Sequence, residues 1–233
     1  MVQRLLKTAL TALLFLCPAG AAHARPVVVE LFTSQSCAAC VSADALLTRL
    51  DKSPDILPLS LDVTYLDTPA WSDRFGLRAA TARQAWYAGL LHSQTVYTPQ
   101  AVVDGTLAVL GSSRRQLTRT IAAAKANPAG DVPITLARVG AAMLSITIGA
   151  GPGNAEIWLF GYDSRRTTLV RGGVNAGKTI TQVNLVRSVA DLGRWMGPET
   201  SMTIARPHGT HVAVLLQTST GAVLGAASTL QSR

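Results

Sequence analysis

Residues 27–40 read VVVELFTSQSCAAC, an apolar run followed by a short polar loop and a pair of cysteines. Val27 to Thr33 is rich in β-branched and apolar residues with no alternation, the pattern of a strand buried on both faces. Beyond Cys40, the residues Val41, Leu46, Leu47 and Leu50 recur at mixed three- and four-residue steps and predict a helix. The dithiol therefore falls at a strand-to-helix junction. There the first cysteine meets unpaired backbone N–H groups and the positive end of the helix dipole, which favour thiolate over thiol. Cys37 is the expected nucleophile and Cys40, one turn further in, the expected resolving thiol. Ala38 and Ala39 between them offer no proline or histidine to tune the thiolate, so the direction of electron flow is open. A structural disulfide and half of a metal site are the competing uses of such a pair.

Working outward, ILPLSLDV (residues 56–63) reads as a second strand. AATARQAWYAGLL (79–91) reads as a helix with Trp86, Leu90 and Leu91 facing inward. YTPQAVVDGTLAVLGSS (97–113) holds two strands about an Asp104-Gly105 turn, with Ser112 or Ser113 capping a helix that runs to about Ala126. The order β-α-β-α-β-β-α is that of a thioredoxin-like domain. Asn127-Pro-Ala-Gly130 is the one clear linker. After it, short strand-like runs separated by Gly, Pro, Asn and Asp suggest an antiparallel β-sandwich. The expected organisation is thus a leader over 1–24, an α/β thioredoxin-like domain over 25–127, and an all-β antiparallel sandwich domain over 131–233.

Val96-Tyr-Thr-Pro-Gln100 places Pro99 62 residues after Cys37. It resembles the glutaredoxin run in which a cis-proline faces the cysteine pair. That resemblance implies a cis Thr98-Pro99 bond, with Thr98 offering its backbone to an incoming peptide as an added strand. Glu30, seven residues before Cys37, is a possible proton acceptor for the resolving cysteine, though an ordinary paired glutamate accounts for it equally.

The chain opens MVQRLLKTALTALLFLCPAGAAHARP. Arg4 and Lys7 precede an apolar run from Ala9 to Cys17, and Ala22-His-Ala24 has the small-x-small form of a signal-peptidase site, so cleavage is expected near Ala24. Leu16 before Cys17 argues against lipidation. The destination is periplasmic or secreted, an oxidising setting that favours a disulfide between Cys37 and Cys40. Of 21 basic side chains, loss of Arg4 and Lys7 leaves 19 against 13 acidic ones, a net charge of +6. The positive residues are scattered, with no run or aromatic interleaving of the kind nucleic-acid surfaces show.

Glu30-Leu-Phe-Thr-Ser-Gln-Ser-Cys-Ala-Ala-Cys40 with Ser42-Ala-Asp44 resembles the opening motif of an exported family known as domain of unknown function 1223. Arg83-Gln84 and Gly161-Tyr-Asp163 with Asn175-Ala-Gly177 add to the resemblance. It spans about residues 27–230. It implies an exported protein whose N-terminal half is thioredoxin-like, and no particular substrate.

Other signals carry less. Gly172 to Thr179 satisfies the phosphate-loop pattern letter for letter, but it lies in β-rich surroundings with no helix to follow, so a turn is expected and no nucleotide. His208 and His211, with His92 and the two cysteines, are too few for a zinc site. A copper(I) site on the cysteine pair is chemically conceivable, with Pro99 as an obstacle. Trp71, Trp86, Trp158 and Trp195 read as core. The resulting expectation is an exported thiol–disulfide oxidoreductase acting on protein or small thiols, needing no cofactor, metal or nucleic acid. The mature chain should have no membrane span. The alternatives are a non-enzymatic envelope binding module with a structural Cys37–Cys40 disulfide, or a copper(I)-binding thioredoxin-like protein.

Overall fold

The computed structural model describes residues 25–230; the leader reading, with Cys17 and the cleavage site near Ala24, lies outside the described residues. The chain runs β1 (Val27–Thr33), α1 (Cys40–Leu50), β2 (Ile56–Asp62), α2 (Arg78–Leu90), β3 (Gln100–Val103), β4 (Leu107–Leu110) and α3 (Arg114–Ala126). It continues with β5 (Ile134–Val139), β6 (Met143–Ile148), β7 (Ala155–Leu169), β8 (Thr179–Trp195), β9 (Thr200–Ala205), β10 (His211–Gln217) and β11 (Val223–Ser228).

These elements correct the expected fold class. An α/β thioredoxin-like domain followed by an all-β antiparallel sandwich is not what the chain builds. One eight-stranded mixed sheet, ordered β11-β10-β7-β8-β2-β1-β3-β4, takes strands from both sides of the 127–130 linker. Only β5, β6 and β9 form a second, antiparallel sheet, and three helices accompany these eleven strands. The run EIWLFGYD and the first three residues of TTLVRGG, expected in separate short strands, belong to the single 15-residue β7. Its partner β8, 17 residues long, was not foreseen as a strand at all.

The physical reason lies in β2. All seven of its residues are buried, yet β1 is its sole neighbour in the first half. An apolar strand with an open edge must be covered, because its peptide groups would otherwise be desolvated without partners. β8 covers it. The parallel ladder there is brief, pairing Ser60 with Leu185. Side chains seal the rest of the seam: Ser60 Oγ donates to the Val183 carbonyl (2.7 Å), and Asn184 Nδ2 donates to the Pro58 carbonyl (2.9 Å). Pro58 has no N–H to offer, so the seam opens where a backbone bond could not form.

Alternate residues of β1 serve opposite faces. Val28 and Phe32 point into a core with Tyr87, Phe160 and Leu215, beneath α2. Val29 and Leu31 join Leu47, Leu117 and Ile121 beneath α1 and α3. A third core, around Ile146, Trp195 and Val214, fills the space between the far end of the large sheet and the small sheet.

The helices turn differently from expectation. On α1 the buried residues are Cys40, Ala43, Asp44 and Leu47, with Val41, Leu46 and Leu50 only half-buried. On α2 they are Ala80, Arg83, Gln84 and Tyr87, while Trp86, Leu90 and Leu91 pack at the margin. Both inward faces carry ionisable residues, which is where the site begins.

Candidate functional site

The loop between β1 and α1 is a sequence of local bonds. Ser34 Oγ accepts from the Ser36 N–H (3.0 Å) and the Ser34 carbonyl from the Cys37 N–H (3.1 Å). A serine that turns the chain by bonding two residues ahead is a standard loop device. The Cys37 carbonyl then accepts from the Cys40 N–H (3.2 Å), which begins α1. Cys37 and Cys40 form a disulfide, with Cα atoms 5.3 Å apart. Cys37 is 9% exposed and Cys40 is fully buried, beneath the exposed Ala38 and Ala39. The sulfurs are thus unequal: one lies at the rim, the other inside. α1 has no side-chain cap at its N-terminus, so its first N–H groups point toward the sulfurs' end of the helix without a side-chain acceptor.

Thr98-Pro99 lies directly opposite. The peptide bond is cis, and the Thr98 carbonyl is 3.9 Å from Cys37 Sγ. The half-exposed Tyr65 hydroxyl bonds Thr98 Oγ1. Behind the proline, the Pro99 carbonyl accepts from Gly111 N–H (3.0 Å). A Cβ at Gly111 would sit 2.6 Å from Leu31 Cδ1 and 3.3 Å from Pro99 Cβ, so a larger residue there would have to displace the Leu31 side chain. Gln84, buried on α2, holds both flanks of the step. Its Nε2 donates to the Tyr97 carbonyl (2.8 Å) and to Gln100 Oε1 (3.0 Å).

Glu30, the acid singled out from the sequence, is fully buried on the α2 side of the sheet. Its carboxylate accepts from Arg83 Nε and Nη2 and from the Tyr87 hydroxyl. Arg83 Nη2 also donates to Gln217 Oε1 on β10 (2.9 Å). The guanidinium carbon lies 5.0 Å from the ring centroids of both Trp158 and Phe160. Both Glu30 oxygens are thereby occupied by partners other than the sulfurs.

A different acid group accompanies the dithiol. Asp44 stands four residues after Cys40 on the same buried face of α1, and helical side chains lean toward the N-terminus, over the preceding turn. Thr33 Oγ1 donates to its Oδ1 (3.0 Å), whereas Oδ2 is buried with no partner. Burial, opposed by the Thr33 bond and reinforced by the charge of Asp73, pushes the Asp44 carboxyl up to about 8. Asp62, at the end of β2, is pushed well above its ordinary value by burial and by the charges of Asp73 and Asp44. Asp73 is raised too, by burial, although it accepts from the Gln35 N–H (2.7 Å) in the cysteine loop. The sequence offered a signal for Asp44, its i,i+4 relation to Cys40, but its charge placed it on the outside in any amphipathic reading.

The second half reaches into the same place. The 172–179 segment that mimics a phosphate loop is a turn between β7 and β8, with one 3₁₀ turn at Gly173–Asn175 and a strand, not a helix, after it. Asn175 is fully buried, and its Nδ2 donates to the carbonyls of Gln35 (2.9 Å) and Cys37 (3.0 Å). It ties the β7–β8 turn to the cysteine loop. Replacing it by alanine strips the Gln35 carbonyl of this bond and leaves the Cys37 carbonyl with the Cys40 N–H alone, so Asn175→Ala should lower unfolding stability by about 1–3 kcal/mol in urea titrations. An unchanged midpoint would mean that water replaces the amide at no cost. His208 and His211 lie near Tyr162, with the His211 ring stacked on it. Among the described residues, no group of three or more His, Cys, Asp or Glu could hold a metal ion, and no helix is long and apolar enough to cross a membrane.

A family model described as a protein of unknown function (DUF1223) matches residues 28–217, a span that takes in the cysteine loop, Thr98-Pro99 and Asn175. The chain belongs to the DUF1223 family. A structurally similar protein is AGR_C_4864 from Agrobacterium tumefaciens, 30% identical, with a TM-score of 0.78 over 88% of this chain and 94% of that one. HBP35 of Porphyromonas gingivalis shares the fold at 9% identity, with a TM-score of 0.60 over 88% of this chain and 74% of that one. No curated protein matches. Within this DUF1223 chain, the cysteine loop draws bonds from both the α2 half and the β7–β8 turn, so the pair is held by the whole molecule.

Proposed function

We propose that this protein is an exported thiol–disulfide oxidoreductase that exchanges electrons with protein or small thiols through Cys37 and Cys40 and needs no cofactor. The observation that carries the reading is the inequality of the two sulfurs. Cys37 lies at the rim, 3.9 Å from the Thr98 carbonyl, while Cys40 is sealed on the helix face that bears Asp44. Starting from the disulfide, a client thiolate attacks Cys37 Sγ, the Cys37–Cys40 bond breaks, and Cys40 leaves as a thiolate that takes up a proton. The client's second thiolate then attacks its own sulfur in the mixed disulfide and releases Cys37 as a thiolate. The client loses two electrons and the protein gains them; the reverse sequence reduces a client disulfide. Thr98 presents its carbonyl to the client backbone beside Cys37. Asp44 lies one turn from Cys40 on the same buried helix face, and we assign to it, rather than to Glu30, the proton exchange with Cys40, since both oxygens of Glu30 are held by Arg83 and Tyr87.

The test is trapping. Cys40→Ala in an oxidised envelope extract should accumulate covalent adducts through Cys37, resolved on non-reducing gels and released by dithiothreitol. Recovery of none, with the variant folded, would remove the catalytic reading. The slight exposure of Cys37 favours a second reading, a structural disulfide in a binding module. Under that reading, neither thiol is alkylated after treatment with mild reductant.

A further inference from the structure

Five arginines gather on the face beside the cysteine loop. Arg74, Arg165, Arg166 and Arg187, with Phe75 and Thr167, line an open depression of about 500 Å³. A second depression, of about 340 Å³, shares Arg74 and Thr167 with the first and continues past Arg171 to Trp71. The two make one basic channel, and its far end touches the dithiol loop. Ser36 Oγ donates to the Trp71 carbonyl (3.2 Å), and Gln35 Nε2 and Arg74 Nη2 both donate to Thr168 Oγ1 (3.4 Å each).

Three of the guanidiniums are held by their neighbours, while Arg165 and Arg171 stand exposed beside them. Arg74 and Arg187 both lie over the Phe75 ring, 4.8 and 4.9 Å from its centroid. Arg166 and Arg187 share Asp163 Oδ2, at 2.9 and 3.1 Å. Asp163 also accepts from the Thr210 N–H, and these neighbours hold its carboxyl below the ordinary range against the upward push of burial. Among the channel's lining residues and these partners, five positive charges thus face one carboxylate. Asp51 also feels the charge of Arg165, although burial keeps its carboxyl above the ordinary value. Fixed guanidinium forks with surplus charge suit oxyanions bound in pairs.

We propose that this channel is an acidic-peptide subsite, taking a carboxylate-rich segment of the protein client whose cysteine meets Cys37. The inference rests on the redox reading for its client but on the arginine geometry for its chemistry. Gln35, two residues before Cys37, shares Thr168 Oγ1 with Arg74, so the channel begins within a few residues of the sulfurs. A peptide is favoured over a lipid surface because the channel is a groove that leads to the sulfurs rather than a flat basic face.

The experiment measures fluorescence anisotropy of labelled hexaglutamate and hexaglutamine peptides with the purified, disulfide-intact protein. Hexaglutamate should bind about tenfold or more tightly, and 0.5 M NaCl should abolish the difference. Arg165→Ala/Arg187→Ala should lose about tenfold in affinity, as should the fully exposed single change Arg165→Glu, with circular dichroism unchanged in both. Arg138→Ala, at an exposed position on β5 that does not line the channel, should bind as wild type. Equal affinity for the two peptides overturns the proposal, as does full retention in the Arg165 variants. Binding of phosphatidylglycerol vesicles or inorganic phosphate without binding of hexaglutamate also overturns it. If hexaglutamate binds but Cys40→Ala traps no client, the channel stands and the redox reading falls. If clients are trapped but hexaglutamate does not bind, the reverse holds.

Discussion

Arg83→Met should lower unfolding stability by about 3–5 kcal/mol, the largest loss expected from any single change in this protein. Arg83 and Glu30 are both nearly or fully buried, and the guanidinium donates twice to the carboxylate. Removing the arginine strands a negative charge in a site closed by Tyr87, Trp158 and Phe160. The same guanidinium reaches Gln217 on β10, so its loss also loosens α2 from the second half of the chain. The control separates charge from packing. Glu30→Gln combined with Arg83→Met leaves no unpaired charge and should recover at least half of the loss. Urea titrations of the two variants measure this directly. A loss below about 1 kcal/mol for Arg83→Met would show that the pair is solvated after all.

Asp44→Asn should change how stability depends on pH. In the fold the Asp44 carboxyl titrates at about 8, against an ordinary value of 3.8. Between those values the folded protein holds a proton that the unfolded chain has released. Fewer protons are then bound on unfolding, so stability falls as pH rises, by about 1.4 kcal/mol per pH unit for this group. The contribution is intact below about pH 4 and is lost progressively up to about pH 8. Asp62 and Asp73 are shifted in the same direction and add to the slope. Thr33 faces Asp44 from β1, Asp62 from the end of β2, and Asp73 from the loop before α2. Asn at position 44 removes its share. Between pH 5.5 and 7.5 the wild type should lose roughly 2–3 kcal/mol more than the variant. If Asp44 also takes the Cys40 proton, disulfide exchange by the variant should slow and its pH profile should flatten near pH 8. Parallel stability curves for the two proteins would show that Asp44 is ionised and solvated in the fold.

Part of this architecture was legible before any coordinates. Val27–Thr33, the cysteine loop and α3 follow from local rules, and Ser113 caps α3 as its position implies. Cys37 and Cys40 were named from their place between strand and helix, Thr98 and Pro99 from the glutaredoxin resemblance, and the two segments lie together in space. The polar residues that surround them were not found in the same way. Arg83, Asp44 and Asn175 are the residue types that amphipathic patterns assign to solvent. Arg83 and Asn175 are buried because distant segments satisfy them, through Glu30 and the Cys37 carbonyl, whereas Asp44 bonds Thr33 through one oxygen and keeps the other unpartnered.

The largest departure concerns the fold itself. Local pattern reads each run of apolar residues as its own strand, and it divided the chain at Asn127-Pro-Ala-Gly130. Pro58, inside an otherwise continuous apolar strand, was the available hint that β2 has an edge to fill. The hint does not say what fills it. The sequence by itself determined where β1 ends, where the dithiol sits and where α3 begins and ends, because these depend on neighbours within a few residues. Tertiary structure alone decided that β8 completes the sheet beside β2, and that an arginine and three aspartates lie inside. Those outcomes depend on which distant strand relieves a desolvated edge and which distant group satisfies a buried charge, and no local pattern encodes either.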